Sequence, residues 1–141
     1  MNKKLLFGFV AVYVLLQGLD YLIHGVILSP IYSSDALKHI WRPDMGSKMW
    51  MFPFTGLFFS FFFTLIFSKG YEGKGIAEGV RYGLYVSLMV NIPAAYRSYA
   101  LYPFPYSLSL QWFLYGTLEL IIAGVVLAMI YGMKPKEAAA S

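Results

Sequence analysis

Residues 108–131 read LSLQWFLYGTLELIIAGVVLAMIY, and Glu119 is the only acidic or basic side chain among them. Wound as an α-helix, a run of this length rises about 36 Å, more than the ~30 Å of hydrocarbon in a bilayer. A helix on the surface of a soluble protein shows one apolar stripe and one charged face. This run has no charged face, so hydrocarbon is its expected solvent.

Three further stretches upstream repeat the pattern, giving expected spans of about 5–28, 50–67, 76–100 and 108–131. The breaks between them carry turn chemistry. Ser29-Pro30 closes the first, Ser68 to Gly75 forms a tight polar turn after the second, and Pro103-Phe104-Pro105 ends the third, because prolines cannot continue a helix. The longest polar connection is the outer loop, 29–49. Charged residues make up 13% of the 141-residue chain, against about 25% in soluble domains, too few to cover a water-facing surface. The expected fold is an all-α membrane protein, one domain over 1–141, with four transmembrane helices in an antiparallel bundle. The two halves do not match residue by residue, so no internal repeat is assigned.

Lys3 and Lys4 before an apolar run resemble the start of a signal peptide. The apolar stretch is long and no small-residue cleavage site follows, which predicts a retained first helix. Basic residues set orientation. With the N-terminus inside, Lys3, Lys4, Lys69, Lys74, Lys134 and Lys136 lie inside and Lys38, Arg42, Lys48 and Arg97 outside. Trp41, Trp50 and Trp112 then fall at the outer ends and Tyr71, Tyr82 and Tyr131 near the inner ends, as aromatic belts do. Both termini are expected in the cytoplasm and the protein in the cell inner membrane, crossing it several times.

The chain has no cysteine, which excludes disulfides, thiolate metal sites and a cysteine nucleophile. A formal charge of +4, spread along the chain, does not point to nucleic acid.

Polar groups inside a span are costly, so their positions are informative. Tyr13, Gln17, Asp20 and His24 follow one another at spacings of four, three and four, on one face of the first helix. Gln111, Tyr115 and Glu119 do the same on the fourth. Asn91, on the third helix, lies at a depth near that of Asp20. The expected polar cluster is Asp20, His24, Asn91 and Glu119, with Gln17 and Tyr115 beside it. It acts either as interhelical glue or as a small wet site for a proton, ion or polar headgroup. No cofactor is predicted. Haem or a single metal at His24 is disfavoured, since His24 and His39 are the only histidines and a di-iron bundle needs about four carboxylates and two histidines.

Gly75, Gly79, Gly83 and Ser87 recur every four residues, a strip that lets helix backbones touch. Gly124, Ala128 and Gly132 form a matching strip, so the third and fourth spans are expected to meet there. Pro93 is expected to kink the third span and free a carbonyl near Asn91. Glu78 and Arg81, three apart, are expected to pair along one helix, with a lipid phosphate as the alternative partner of Arg81. The second span carries phenylalanine on all sides, suited to lipid, a pigment or quinone, or a partner subunit. In the outer loop, Leu37 to Trp41 is expected to form a short interfacial helix.

The segments His24-Gly25-Val26-Ile27-Leu28, Trp41-Arg42-Pro43, Gly70-Tyr71-Glu72-Gly73-Lys74-Gly75 and Glu78-Gly79-Val80-Arg81-Tyr82-Gly83 together resemble a group of small bacterial four-helix integral membrane proteins without an established activity. The likeness covers most of the chain and implies the fold but no mechanism.

Three functions are expected, in this order. The first is a non-catalytic accessory subunit that packs against larger membrane partners or itself, because neither side of the membrane has a domain large enough for a soluble active site. The second is binding or transport of a small molecule, lipid or ion at the polar cluster. The third is an intramembrane enzyme with Asp20 and His24 as an acid–base pair. No catalytic residue is assigned.

Overall fold

A computed structural model describes residues 2–133, and Lys134 and Lys136 of the expected inner charge set lie outside them. Among the described residues all regular structure is helical. Helix α1 spans Lys3–Asp20 and continues as a π-helical segment, Tyr21–Ile27. A single helical turn, α2, covers Ser29–Tyr32, and a 3-10 turn covers Met45–Lys48. Three long helices follow: α3 (Met51–Gly70), α4 (Ile76–Leu101) and α5 (Tyr106–Gly132).

Three helical stretches are long and apolar enough to cross a membrane: Lys3–Ile27, Met45–Gly70 and Tyr106–Gly132. Helix α4 matches them in length but carries Glu78, Arg81, Asn91 and Arg97, and is not among them.

The helix ends follow from local chemistry. The Asn2 side chain accepts from the Lys4 backbone N–H at 3.0 Å, an N-cap. At the other terminus, Lys4 Nζ donates to the carbonyls of Tyr131 and Met133 at 2.8 and 2.9 Å. It thereby satisfies acceptors that the last turn of α5 leaves open. Between α3 and α4 the chain reverses through Gly73 and Gly75, with φ of 76° and 74°, values that glycine adopts without steric cost.

Gly75 therefore leaves the expected packing strip: it is the N-cap of α4, and nothing lies within 4 Å of the position its Cβ would take. The turn is fastened by Glu78, whose carboxylate accepts from the backbone N–H groups of Glu72 at 2.6 Å and Lys74 at 2.8 Å. This corrects the expected Glu78–Arg81 pair. Two backbone donors occupy both oxygens of the buried Glu78, and Arg81 is exposed.

The tightest contact in the molecule is between α4 and α5. Gly79 faces Gly124 and Ala128, Gly83 faces Leu120 and Ile121, Ser87 bonds Thr117, and Asn91 lies on Gly116. A methyl added at Gly79 or Gly83 would fall on the carbonyl oxygen of Gly124 or Leu120. Helix α1 packs on α3 and α5 but not substantially on α4. Phe63 and Phe67 of α3 meet Tyr82 of α4 at ring separations of 4.7 and 5.1 Å, and the Tyr82 hydroxyl donates to the Phe63 carbonyl at 2.5 Å. Val12, Leu16, Ala123, Leu127 and Tyr131 complete this core.

Helix α4 runs unbroken through Pro93, although proline offers no N–H to the carbonyl four residues earlier. The expected helix at Leu37 to Trp41 is instead a series of turns, with Leu37 and Lys38 both donating to the Ser34 carbonyl. Buried Leu37 pins this segment against Phe104 and Leu108. Tertiary contact with the 103–108 segment, and not an interfacial helix, fixes the loop.

Candidate functional site

At the loop end of the bundle α1, α4 and α5 leave a cavity of about 250 Å³. Asp20, His24, Asn91, Ser98, Trp112 and Glu119 supply its polar wall, and Ala94, Ala95 and Gly116 the rest. All four members of the expected central cluster meet here. Gln17 and Tyr115 do not line it. A larger depression of about 430 Å³ beside the end of α5 is lined by Val126, Met129, Ile130, Gly132 and Met133, side chains with no chemistry beyond apolar contact.

The two outliers have a geometric cause. Each helical residue turns about 100°, so Gln17 and Asp20 sit roughly 60° apart. Gln17 points to α3, where its amide lies against Gly56. Tyr13 also points there, its hydroxyl donating to the Pro53 carbonyl at 3.3 Å. The wider π-helical turn after Asp20 then carries His24 to the cavity. On α5, repeated steps of four drift by about 40° each, so Gln111, Tyr115 and Glu119 fan out. Trp112, seven positions earlier, lies about 20° from Glu119 and Gly116, three earlier, about 60° round on that same side, whereas Tyr115 lies about 40° away on the opposite side. Gln111 spends its amide on the Ser107 carbonyl.

Asn91 and His24 are held by neighbours. Thr117 Oγ1 donates to the Phe113 carbonyl at 2.7 Å and Ser87 Oγ donates to Thr117 Oγ1 at 2.6 Å. Asn91 Nδ2 donates to Ser87 Oγ at 3.1 Å. With its own proton committed to Thr117, Ser87 can only accept from Asn91. That fixes the amide with nitrogen toward Ser87 and leaves Oδ1 as a free acceptor. Gly116 makes room, since a Cβ there would lie 2.7 Å from Asn91 Nδ2.

His24 is fixed from the loop. Trp112 Nε1–H donates to the Tyr32 hydroxyl at 2.7 Å, and that hydroxyl lies 2.6 Å from His24 Nδ1. The indole has a donor only, so the Tyr32 oxygen accepts from it and its own proton is directed to Nδ1. The ring proton of neutral His24 then sits on Nε2. Burial raises the Tyr32 hydroxyl pKa above its ordinary value of 10.0, against a smaller lowering by the Trp112 hydrogen bond. Tyr32 therefore stays a donor at neutral pH. Trp41 Nε1–H holds the Tyr32 carbonyl at 2.9 Å.

Glu119 is different. It is 8% exposed, and its Oε1 is buried with no hydrogen-bond partner among the described residues. Asp20 and His24 are exposed at the cavity's edge. The wall thus holds two carboxylates, one imidazole and no lysine or arginine. Among the described residues no three His, Asp or Glu side chains converge closely enough to hold a metal ion.

Tyr32, Ser98, Trp112 and Gly116 are site residues that sequence reasoning missed. Trp112 read as an interfacial anchor and Tyr32 as loop. Counting exact angles back from Glu119 identifies Trp112, about 20° away, whereas Gly116 is set by its contact with Asn91 on the neighbouring helix and no local signal identifies Tyr32.

Comparison with protein-family models, with curated proteins and with solved structures finds no match.

Proposed function

We propose that the chain is a multi-pass protein of the cell inner membrane, with four antiparallel spans and cytoplasmic termini, and that its polar cavity binds a small cation. The pairings of Gly79 with Gly124 and of Asn91 with Gly116 support an antiparallel α4 and α5. The tie from Lys4 to Tyr131 and Met133 supports termini on one side. Helix α4 is long enough to span, and its Asn91 is turned inward to the cavity. Arg81, exposed near the start of α4, suits a lipid phosphate at the headgroup level.

The observation that carries the cation assignment is the partnerless Oε1 of buried Glu119 in a cavity it shares with Asp20. A bare carboxylate held out of water costs several kcal/mol. A bound cation removes that cost, and the wall holds no lysine or arginine that would. A volume of about 250 Å³ lies just under the ~300–1,000 Å³ of common ligand sites, which suits a small ion or head with a few waters.

The test is thermal unfolding of the purified full chain in detergent, titrated with methylammonium. The midpoint of the natural chain rises with concentration, by about 2.7 kcal/mol of stabilisation at a hundred times Kd. Glu119→Gln is more stable than the natural chain without cation, by about 1–3 kcal/mol, and indifferent to methylammonium. An equal rise in both proteins, or in neither, rejects the assignment.

A second function, an accessory subunit packed against larger membrane partners, draws on the exposed Trp50 just before α3 and the exposed Phe52, Phe54, Phe58 and Phe62 within it. Lipid alone satisfies the same surface, so this ranks below the cavity. Mass spectrometry of chains that co-purify under mild extraction tests it, and isolation as a lone stable monomer counts against it.

A further inference from the structure

We infer that the cavity is loaded sideways, from the apolar surroundings of the bundle, and that its cation is the ammonium head of a lipophilic amine. This rests on the cation-binding assignment above and adds the route and the chemical class.

The route follows from what closes each side. Above the cavity, Tyr32, Trp41, Phe104 and Trp112 form a continuous run of edge-to-face and tilted rings with separations of 5.4 Å (Tyr32–Trp41), 5.6 Å (Trp41–Phe104) and 5.1 Å (Phe104–Trp112). Leu37 and Leu108 are buried against these rings. Below, Asn91 rests on Gly116, and Gly83 touches the backbone of α5. Helix α5 forms the back wall.

The remaining side is open. Asp20, His24 and Ala94 are exposed, and α1 and α4 are not packed together. The ring contacts between α3 and α4, through Phe63, Phe67 and Tyr82, all lie toward the other end of the bundle. The opening continues along α4 as a stripe at helical spacing, Ala94, Val90 and Val86, exposed at Val90 and joining the core at Val86. An alkyl chain suits that stripe and no charged group does.

The class follows from the free atoms of the wall. Glu119 Oε1, the Asp20 carboxylate and Asn91 Oδ1 are acceptors, and an ammonium has three donors and no acceptor. The absence of any lysine or arginine from the wall argues against a phosphate-bearing head, whose anion would stay unpaired. The cavity takes the head, and the chain rests outside on α4.

The experiment measures binding of octylamine, ethylamine and octanol to the full chain in phosphatidylcholine nanodiscs by calorimetry, with empty nanodiscs subtracted. Octylamine is expected to bind at least about tenfold more tightly than ethylamine, because the buried chain adds apolar contact. Octanol shows no saturable binding. Val90→Phe, on the exposed stripe outside the cavity wall, obstructs the opening and weakens octylamine by about tenfold while leaving ethylamine within about twofold. Val90→Trp at the same exposed position is a second block should the first fail to fold. Equal affinity for the two amines, or octylamine binding untouched by a folded blocking variant, overturns the sideways route and leaves cation binding standing. Saturable octanol binding as tight as that of octylamine, or no binding of either amine, overturns both.

Discussion

The two ends of the bundle solve the same packing problem in opposite ways. At the end where Lys4 reaches Tyr131 and Met133, small residues bring α4 and α5 into backbone contact, and aromatic rings from α3, α4 and α5 fill what remains. At the loop end the same two helices carry Asn91 opposite Gly116 and Glu119 below Trp112, α1 stands apart from α4, and a polar cavity remains. The first end gains from close contact, since dispersion is the main force between helices when both solvent and side chain are apolar. The second gives up that contact and keeps a carboxylate without a partner.

The largest expected effect breaks the tight end. Gly83→Ala places a methyl on the Leu120 carbonyl and 2.7 Å from the Ile121 Cα, all of it backbone. Neither helix can yield by turning a side chain, so they must part. We expect a loss of about 3 kcal/mol or more, read as a lower unfolding midpoint in a denaturing-detergent titration. A Gly83→Ala chain as stable as the natural one would mean that α4 and α5 do not touch there, and the contrast between the ends would disappear.

The loop end should respond less to the loss of a single group. Tyr32→Phe leaves the ring in the aromatic run but removes the acceptor of Trp112 and the partner of His24. An unpaired buried donor costs about 1–3 kcal/mol. The expected result is a destabilisation in that range with unchanged helical content, by circular dichroism and unfolding together. A loss as great as that of Gly83→Ala would show that the loop is structural for the whole bundle, not a cap on one cavity.

The same contrast explains what the sequence made legible. The glycine strip was readable because its spacing of four is a property of one helix, and a strip on a second helix matched it. Gly75 fell out, since its positive φ serves the turn, and so did Gly132, whose added Cβ would meet only the Tyr71 hydroxyl, at 3.8 Å. The polar cluster was half readable. Asp20, His24, Asn91 and Glu119 stood out because ionisable and amide groups are rare in apolar runs. Which neighbours joined them depended on rotations of 20° to 60° that a spacing count blurs, and on a π-helical segment with no obvious sequence mark. Glu78 shows the converse. An i,i+3 partner was available, yet two backbone N–H groups of the preceding turn took the carboxylate, because a turn closed by two glycines leaves donors that need acceptors. Tyr32 was invisible, since its role is set by Trp112, eighty positions away.

The smallest effect sharpens the comparison from the opposite direction. Gly18 lies on α1 near the loop end, and its added Cβ would meet nothing within 4 Å. Its backbone is ordinary helix, so no positive φ requires glycine. Gly18→Ala should stabilise by about 0.5–1 kcal/mol, the usual gain from restricting a helical glycine, with methylammonium binding unchanged. The same substitution then gives opposite signs at Gly83 and Gly18, one glycine pressed on a backbone and the other facing open space. Should Gly18→Ala instead destabilise by more than about 1 kcal/mol, something outside this chain touches α1 at that point. The open flank would then be an interface, and the accessory-subunit function would move ahead of the cavity.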